Sequence, residues 1–413
     1  MNVTYSDMKP DTASVANGSL IAGEELRDTT ELKETLGLYR KVLFEQILPL
    51  WSTVGADHAR GGYAETLSAR GRGAPGPRRV RVTARQVYAM CEAAELGWNR
   101  LAAEAGVRHG CRFLALHTSA GGFLFHTLAA DDSVSDIGFD LYDQAFLLFA
   151  HAHAWRLLRD PDIVERARLL RQSVVERFAH ADGGFVDRLD KPFPLRSNPH
   201  MHLLEASLAW LPLDPDPRWR ELADTVVALF LSRFVDRERG ILRETFGADW
   251  TPVEDAGRCR VEPGHNYEWA WLLMRWEALT GGDAGAFPLG MVGFAETHGY
   301  DPLRRVAVNE VWSDGSASDG KARLWPQTER LKAWLAVARR SQGPDRWRAE
   351  KFALDAAGTL MSYLQTPVAG LWHDVMLEDG SFAAGDAPGS SLYHIICAIG
   401  ELQRYVDSRE EYA

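Results

Sequence analysis

Gly61-Gly-Tyr63, Gly121-Gly-Phe123 and Gly183-Gly-Phe185 share one pattern, a glycine pair followed by an aromatic residue. Gly240-Ile-Leu242 and Gly370-Leu-Trp372 extend the series, which recurs about every 60 residues and lacks a member between Leu242 and Gly370. Paired glycines tolerate the left-handed backbone of a tight turn, so each member reads as a turn entering a short strand-like piece. The segments between them carry helical periodicity. In 81–98, for example, Val82, Val87, Met90, Ala94 and Leu96 fall on one broad face. The same reading predicts helices over 31–50, 81–98, 100–117, 138–158, 161–180, 200–212, 217–234, 265–280, 284–299, 322–341, 346–366 and 390–406. A helical hairpin repeated about six times can close on itself. The expected fold is all-α, an (α/α)6 barrel: a toroid of twelve helices, six inner helices lining a cleft and six outer ones covering them. Residues 1–30 are polar and rich in Ser, Thr and Gly, and read as a flexible N-terminal tail. No linker-like segment follows, so 31–413 is expected to form a single domain.

Composition removes several classes of function. The 413 residues hold 46 Lys+Arg against 57 Asp+Glu, a net charge of −11, which argues against nucleic acid and against an anionic membrane surface as partners. No run approaches the roughly 20 apolar residues of a membrane span. The N-terminus, MNVTYSDMKPDTASVANGSL, has neither the basic nor the apolar region of a signal peptide. Cys91, Cys111, Cys259 and Cys397 are isolated, which fits buried thiols in a reducing, cytoplasmic setting better than disulfides or zinc.

Two blocks place a histidine three residues before a carboxylate: His202 and Glu205 in Asn198-Pro-His-Met-His-Leu-Leu-Glu205, and His265 and Glu268 in Glu262-Pro-Gly-His-Asn-Tyr-Glu-Trp-Ala-Trp271. That spacing sets both groups on one helical face, where they can serve one site. His200 precedes His202 by two and points to a different face. His394 lies near the start of the last predicted helix in Ser390-Ser-Leu-Tyr-His-Ile-Ile-Cys397, Arg85 is a cation on an otherwise apolar helix, and Glu329 follows Trp325-Pro-Gln-Thr. Taken singly, each has a structural explanation: a satisfied core histidine, a buried ion pair, a carboxylate at a helix N-terminus. Taken together, so many buried ionisable groups are costly unless they pair or act. A metal is disfavoured, because neither the Glu-x-x-His arrangement of helical bundles nor the His-Glu-x-x-His of zinc proteases occurs.

In order, TARQVYAM around Arg85, NPHMHLLEA from Asn198, GHNYEWAWLL from Gly264, LWPQTERLKA from Leu324 and LYHIICAI from Leu392 resemble the N-acylglucosamine 2-epimerase superfamily over residues 35–407. The resemblance implies an (α/α)6 barrel and proton transfer at C2 of a reducing sugar, with no metal or other cofactor, in a monomer or homodimer. It implies His394 as the base at C2 and His265 as a second acid/base. Arg85, Asn198, His202 and Glu268 are implied as sugar-binding groups, with Trp325 and Glu329 near the cleft. A histidine suits the task because it titrates near neutrality, and the enediolate that forms needs cations beside its oxygens. One base on one face suffices for an aldose–ketose isomerase, whereas a 2-epimerase needs two opposed bases; His265 and His394 fit either. The run Ala387-Pro-Gly-Ser-Ser-Leu-Tyr-His394 resembles the mannose isomerases, so interconversion of free D-mannose and D-fructose is the favoured expectation. The alternatives are a sugar 2-epimerase or a mannose-6-phosphate isomerase and, further off, a glycoside hydrolase using Glu205 and Glu268 or a non-catalytic carbohydrate-binding toroid. Arg78, Arg79 and Arg81 form a basic cluster that could reach a phosphate but reads as a solvated loop.

Overall fold

The structure, a computed structural model, describes residues 18–410 apart from 74 and 75, with side chains from residue 30 onward. Twelve helices are present among the described residues. The outer helix α1 (Gly18–Val42) continues through a π-helical turn (Leu43–Ile47) into Leu48–Thr53. It is followed by α2 (Val80–Glu95), α3 (Arg100–Leu116), α4 (Leu141–Leu158), α5 (Pro161–Arg177), α6 (Ser197–Trp210), α7 (Arg218–Leu229), α8 (Pro263–Thr280), α9 (Phe287–His298), α10 (Leu324–Arg340), α11 (Gly343–Tyr363) and α12 (Ser391–Glu410). Residues 1–17 of the expected tail lie outside the described residues, and α1 starts at Gly18, ahead of the predicted 31.

The even-numbered helices form the inner ring. Each packs on the next, α2 on α4, α4 on α6, and so on to α12, which returns to α2. Each also carries an outer helix on its back. Flanked on every side, α4, α6 and α8 bury nearly their whole circumference, which is why their sequences read apolar all round rather than as a stripe. Large rings fill the seam between the layers: Trp210 of α6 stacks on Trp219 of α7 at 5.1 Å, and Trp334 of α10 on Phe352 of α11 at 4.3 Å. The helices begin where side chains can take up free amides. Asn99 accepts from Ala102, Asp140 from Tyr142, and Asp160, followed by Pro161, from Asp162. The ring closes between distant parts of the chain. Thr66–Leu67 pairs antiparallel with Ala387–Pro388, Tyr39 of α1 donates to the Ala357 carbonyl, and Trp51 donates to the Gly370 carbonyl.

The strands are two or three residues long and lie in the loops. The glycine turns at 61, 121, 183 and 240 are antiparallel hairpins ahead of inner helices, and the fourth residue of five inner helices ties a hairpin down. Thr83 accepts from the Tyr63 amide, His200 from Phe185 and Asn266 from Leu242. Gln144 and Gln327 each bond both the amide and the carbonyl of their hairpin residues, Leu124 and Ala307. In α12 the fourth residue is His394, which bonds Glu329 instead. The repeat missing from the sequence signal is also there: Tyr300–Asp301 pairs with Val306–Ala307, closed by Arg305 in the left-handed region at φ 59°.

Candidate active site

Because each inner helix returns through an antiparallel outer one, the six inner N-termini meet at one end of the ring. Their first two turns, with the residues just before them, line a cavity of about 220 Å³. Of the expected site residues, Arg85, Asn198, His202, His265, Glu268, Trp325 and His394 line it; Glu329 lies behind its wall, bonded to His394. Arg85, His202, Glu268 and Glu329 are each the sixth residue of their helix, so the internal repeat places four ionisable groups at one level of the ring.

His394 is buried at the edge of the cavity and its Nδ1 lies 2.8 Å from Glu329 Oε1. A carboxylate there requires a donor, so Nδ1 carries the proton and Nε2 is the bare nitrogen. Burial, reinforced by the charges of Arg85 and Lys332, pushes this imidazole well below its ordinary value. His265 has the opposite environment. Burial alone would depress it, but the nearby Glu262 and Glu244 carboxylates push it up to about 10. Its Nδ1 stands 3.0 Å from Glu244 and 3.7 Å from Glu262. Its Nε2 is 3.1 Å from the Asn198 amide, whose Oδ1 has no other partner, so a doubly protonated ring calls for that amide with its oxygen toward the ring. Trp325 touches both rings, 5.0 Å from His265 and 5.8 Å from His394. Gly264 makes room for it, since a Cβ there would meet the indole at 2.5 Å.

The remaining wall is polar and aromatic. Arg85 donates to the Ser390 carbonyl at 3.1 Å and to the Tyr142 hydroxyl, with its guanidinium 4.2 Å from the Phe146 ring. His202 donates through Nδ1 to Glu205 at 3.1 Å, and burial holds it down at about 4. Glu205 also accepts from Tyr393 at 2.6 Å. Glu268 has a buried Oε1 with no partner; burial, and then the charge of Glu329, pushes its carboxyl well up. The carboxylate that orients His265 is therefore Glu244, from the hairpin before α8, rather than Glu268 on the same helical face.

Several residues at this site carried no sequence signal. Glu244, 21 positions from its histidine, is brought in by a strand pair. Glu262 stands inside the quoted motif yet faces His265 from the helix N-cap. Tyr142 lies on a helix that is apolar nearly all round, and Tyr393 enters the quoted motifs only as the neighbour of His394. Arg78, Arg79 and Arg81 are a paired cluster rather than a solvated loop: Arg78 bonds Asp132 at 2.6 Å, Arg81 bonds Asp143 at 2.8 Å, and Arg79 bonds Glu65. Arg79 and Arg81 line the cavity, as does Arg323, whose charge acts on Glu262 across the same lining without a salt bridge among the described residues.

Three groups of His and Glu have ligand atoms within 4.8 Å of one another: His202 with Glu205 and Glu268, Glu244 with Glu262 and His265, and Glu268 with Glu329 and His394. Several of their ligand atoms already accept a proton or an ammonium, while Glu268 Oε1 has no partner. Glu205 takes Tyr393 and His202, Glu244 takes His265, and Glu329 takes His394 and Lys332. Most of the carboxylate oxygens in these groups are thus committed to protein partners. No helix among the described residues is long and apolar enough to cross a membrane.

Residues 61–398 match the family model of N-acylglucosamine 2-epimerase. The chain is 42% identical over 370 residues to a mannose-6-phosphate isomerase of Rhizobium meliloti (strain 1021), covering 87% of this chain and 95% of the relative. It is 28% identical over 269 residues to a D-mannose isomerase of Thermobifida fusca, covering 56% of this chain and 66% of the relative. The structure of cellobiose 2-epimerase from Spirochaeta thermophila DSM 6192 superposes with a TM-score of 0.81 at 22% identity, over 92% of this chain and 98% of that one, a likeness of fold. The chain therefore belongs to the N-acylglucosamine 2-epimerase family, as a sugar isomerase or epimerase acting on hexoses.

Proposed function

We propose that the chain is an aldose–ketose isomerase that interconverts D-mannose 6-phosphate and D-fructose 6-phosphate. The observation that carries the phosphorylated substrate is the excess of cations at the cavity: in a chain of net charge −11, its lining sets Arg79, Arg81, Arg85 and Arg323 against the carboxyls Glu262 and Glu268. Six helix N-termini converge at the same end, adding positive partial charge and free amides that suit a phosphate. Arg79, Arg81 and Arg85 have partners, whereas the exposed Arg323 forms no salt bridge among the described residues and can turn from the neighbouring Glu262 to an incoming anion. The name of the Rhizobium meliloti relative supports the same choice over the free sugar.

The chemistry follows from the two histidines, whose environments drive their affinities for protons apart. Neutral His394 takes the C2 proton of the open-chain aldose on Nε2. Protonated His265 delivers a proton to O1 as the enediol forms and recovers one from O2. His394 then returns its proton to C1, which yields the ketose with protons balanced. Arg85 and the imidazolium of His265 offset the negative charge on the enediolate oxygens within the buried cavity. Trp325, against both rings, excludes water.

The test is turnover of mannose 6-phosphate and of mannose in deuterated water, followed by NMR. Fructose 6-phosphate carrying deuterium at C1 is expected. Brisk turnover of mannose with none of the phosphate would overturn the phosphorylated substrate, and glucose 6-phosphate labelled at C2 would make the enzyme an epimerase. Arg323→Gln is expected to raise KM for mannose 6-phosphate about tenfold, the worth of one charge-assisted hydrogen bond of roughly 1.5 kcal/mol, and to leave mannose unaffected.

A further inference from the structure

Lys332 is the only fully buried lysine among the described residues, and the mechanism above does not use it. Its Nζ lies 2.6 Å from Glu329 Oε2, 3.8 Å from the centre of the Trp271 ring and 3.8 Å from Cys397 Sγ. The other oxygen of Glu329 accepts from His394 Nδ1 at 2.8 Å, so ammonium, carboxylate and imidazole form one chain leading to the cavity. A lysine is rarely buried without reason, and its desolvation is offset only by strong partners. Three carboxyls, Glu205, Glu268 and Glu329, cluster near this one ammonium.

We propose that Lys332 is a positioning residue that keeps Glu329 an acceptor and so holds His394 with its proton on Nδ1 and its bare Nε2 toward the substrate. Without the ammonium, the cluster must relieve its negative charge by binding a proton. Glu329 and His394 are both available to take it, and either uptake disables the base. The groups that face His394 from the surrounding helices are Arg85 of α2, His202 and Glu205 of α6, Glu268 of α8, Glu329 and Lys332 of α10, and Tyr393 and Cys397 of α12. Arg85 and Lys332 are the cations of that set. Arg85 also lines the cavity beside the substrate, which leaves Lys332 as the cation whose removal changes the field at His394 without removing a sugar contact.

The inference rests on His394 being the base. In Lys332→Met, kcat is expected to fall about 10- to 100-fold, as for loss of a group that orients a functional histidine. The acid limb of the kcat/KM pH profile is expected to move up by roughly one unit, because His394 keeps its proton to higher pH once the nearby positive charge is gone. A residue that only supports the fold would lower activity evenly at all pH values. Should the single variant not fold, Lys332→Met with Glu268→Gln removes the ammonium together with one carboxyl it faces, and the limb is read against that of Glu268→Gln alone. An unmoved acid limb in a folded variant overturns the role of Lys332. An active His394→Ala would overturn the assignment of the base itself, so the two failures are told apart.

Discussion

Removing the imidazole of His394 or of His265 takes away a proton acceptor or a proton donor for which the cavity holds no substitute at the same atom. His394→Ala and His265→Ala are therefore expected to lower kcat by at least about 10²-fold, with circular dichroism unchanged. The wild-type pH profile follows from their environments. His394 acts neutral and is held well below the ordinary histidine range, so kcat/KM falls only on the acid side of about 6.5. His265 acts protonated, so the alkaline limb lies near its value of about 10. Stability has its own pH dependence. His200 and His202, each held at about 4 by burial, and His394 bind fewer protons folded than unfolded below 6.5. Stability contributed by these three is complete above about 6.5; that of His200 and His202 is lost as pH falls through about 4, and that of His394 is likewise lost on the acid side. His265 runs the other way: its contribution is complete below about 6.5 and is lost as pH rises through about 10. These charged residues were legible in the sequence because an Arg, His or Glu inside an apolar helix calls for an explanation. Glu244 was not, because only the hairpin's return brings it to His265. Lys332 was not, because its helix also carries exposed basic residues and only the ring geometry tells the buried from the solvated ones.

At the scale of elements, one polar side chain on each of five inner helices substitutes for a longer sheet. Gln144 supplies both partners to Leu124, so Gln144→Leu leaves a buried amide and a buried carbonyl unpaired. That substitution is expected to cost about 2–4 kcal/mol, read as a lowered denaturation midpoint with an unchanged m-value. The same hairpins explain why one repeat stayed hidden in the sequence. Gly61 and Gly240 stand five residues after the first bridged residues, Ala56 and Val235, with φ of 80° and 67°. Arg305 stands five after Tyr300, at φ 59°. A residue with a Cβ can hold that conformation at a cost of about 1 kcal/mol or more, and here Arg305 also pairs with Asp355. The geometry was kept while its sequence mark was lost. The helices were easier to read, because a segment buried on every side stays apolar over several turns; their ends, such as the start of α1 at Gly18, depend on caps and neighbours that periodicity does not report.

The whole molecule sets a cationic cavity within an anionic surface, which repels anions broadly and draws them in at one end of the ring. It also sets the first helix beside the last, with Lys33 3.0 Å from Glu410. A permutant that joins residue 410 to residue 31 through a short flexible linker and opens the chain at the exposed Gly281 is expected to keep turnover and a cooperative melt. Failure of that permutant to fold would show that the order of the hairpins, and not only their packing, is needed. The closing contact between α12 and α2 carries a consequence for biosynthesis. Arg85 leaves the ribosome early, on a helix whose neighbour on one side is more than 300 residues from being made. The proposed base comes with that last helix. Until it arrives, the chain presents the acid, the arginines and an uncovered apolar flank of α2, a state that invites chaperones and performs no proton transfer.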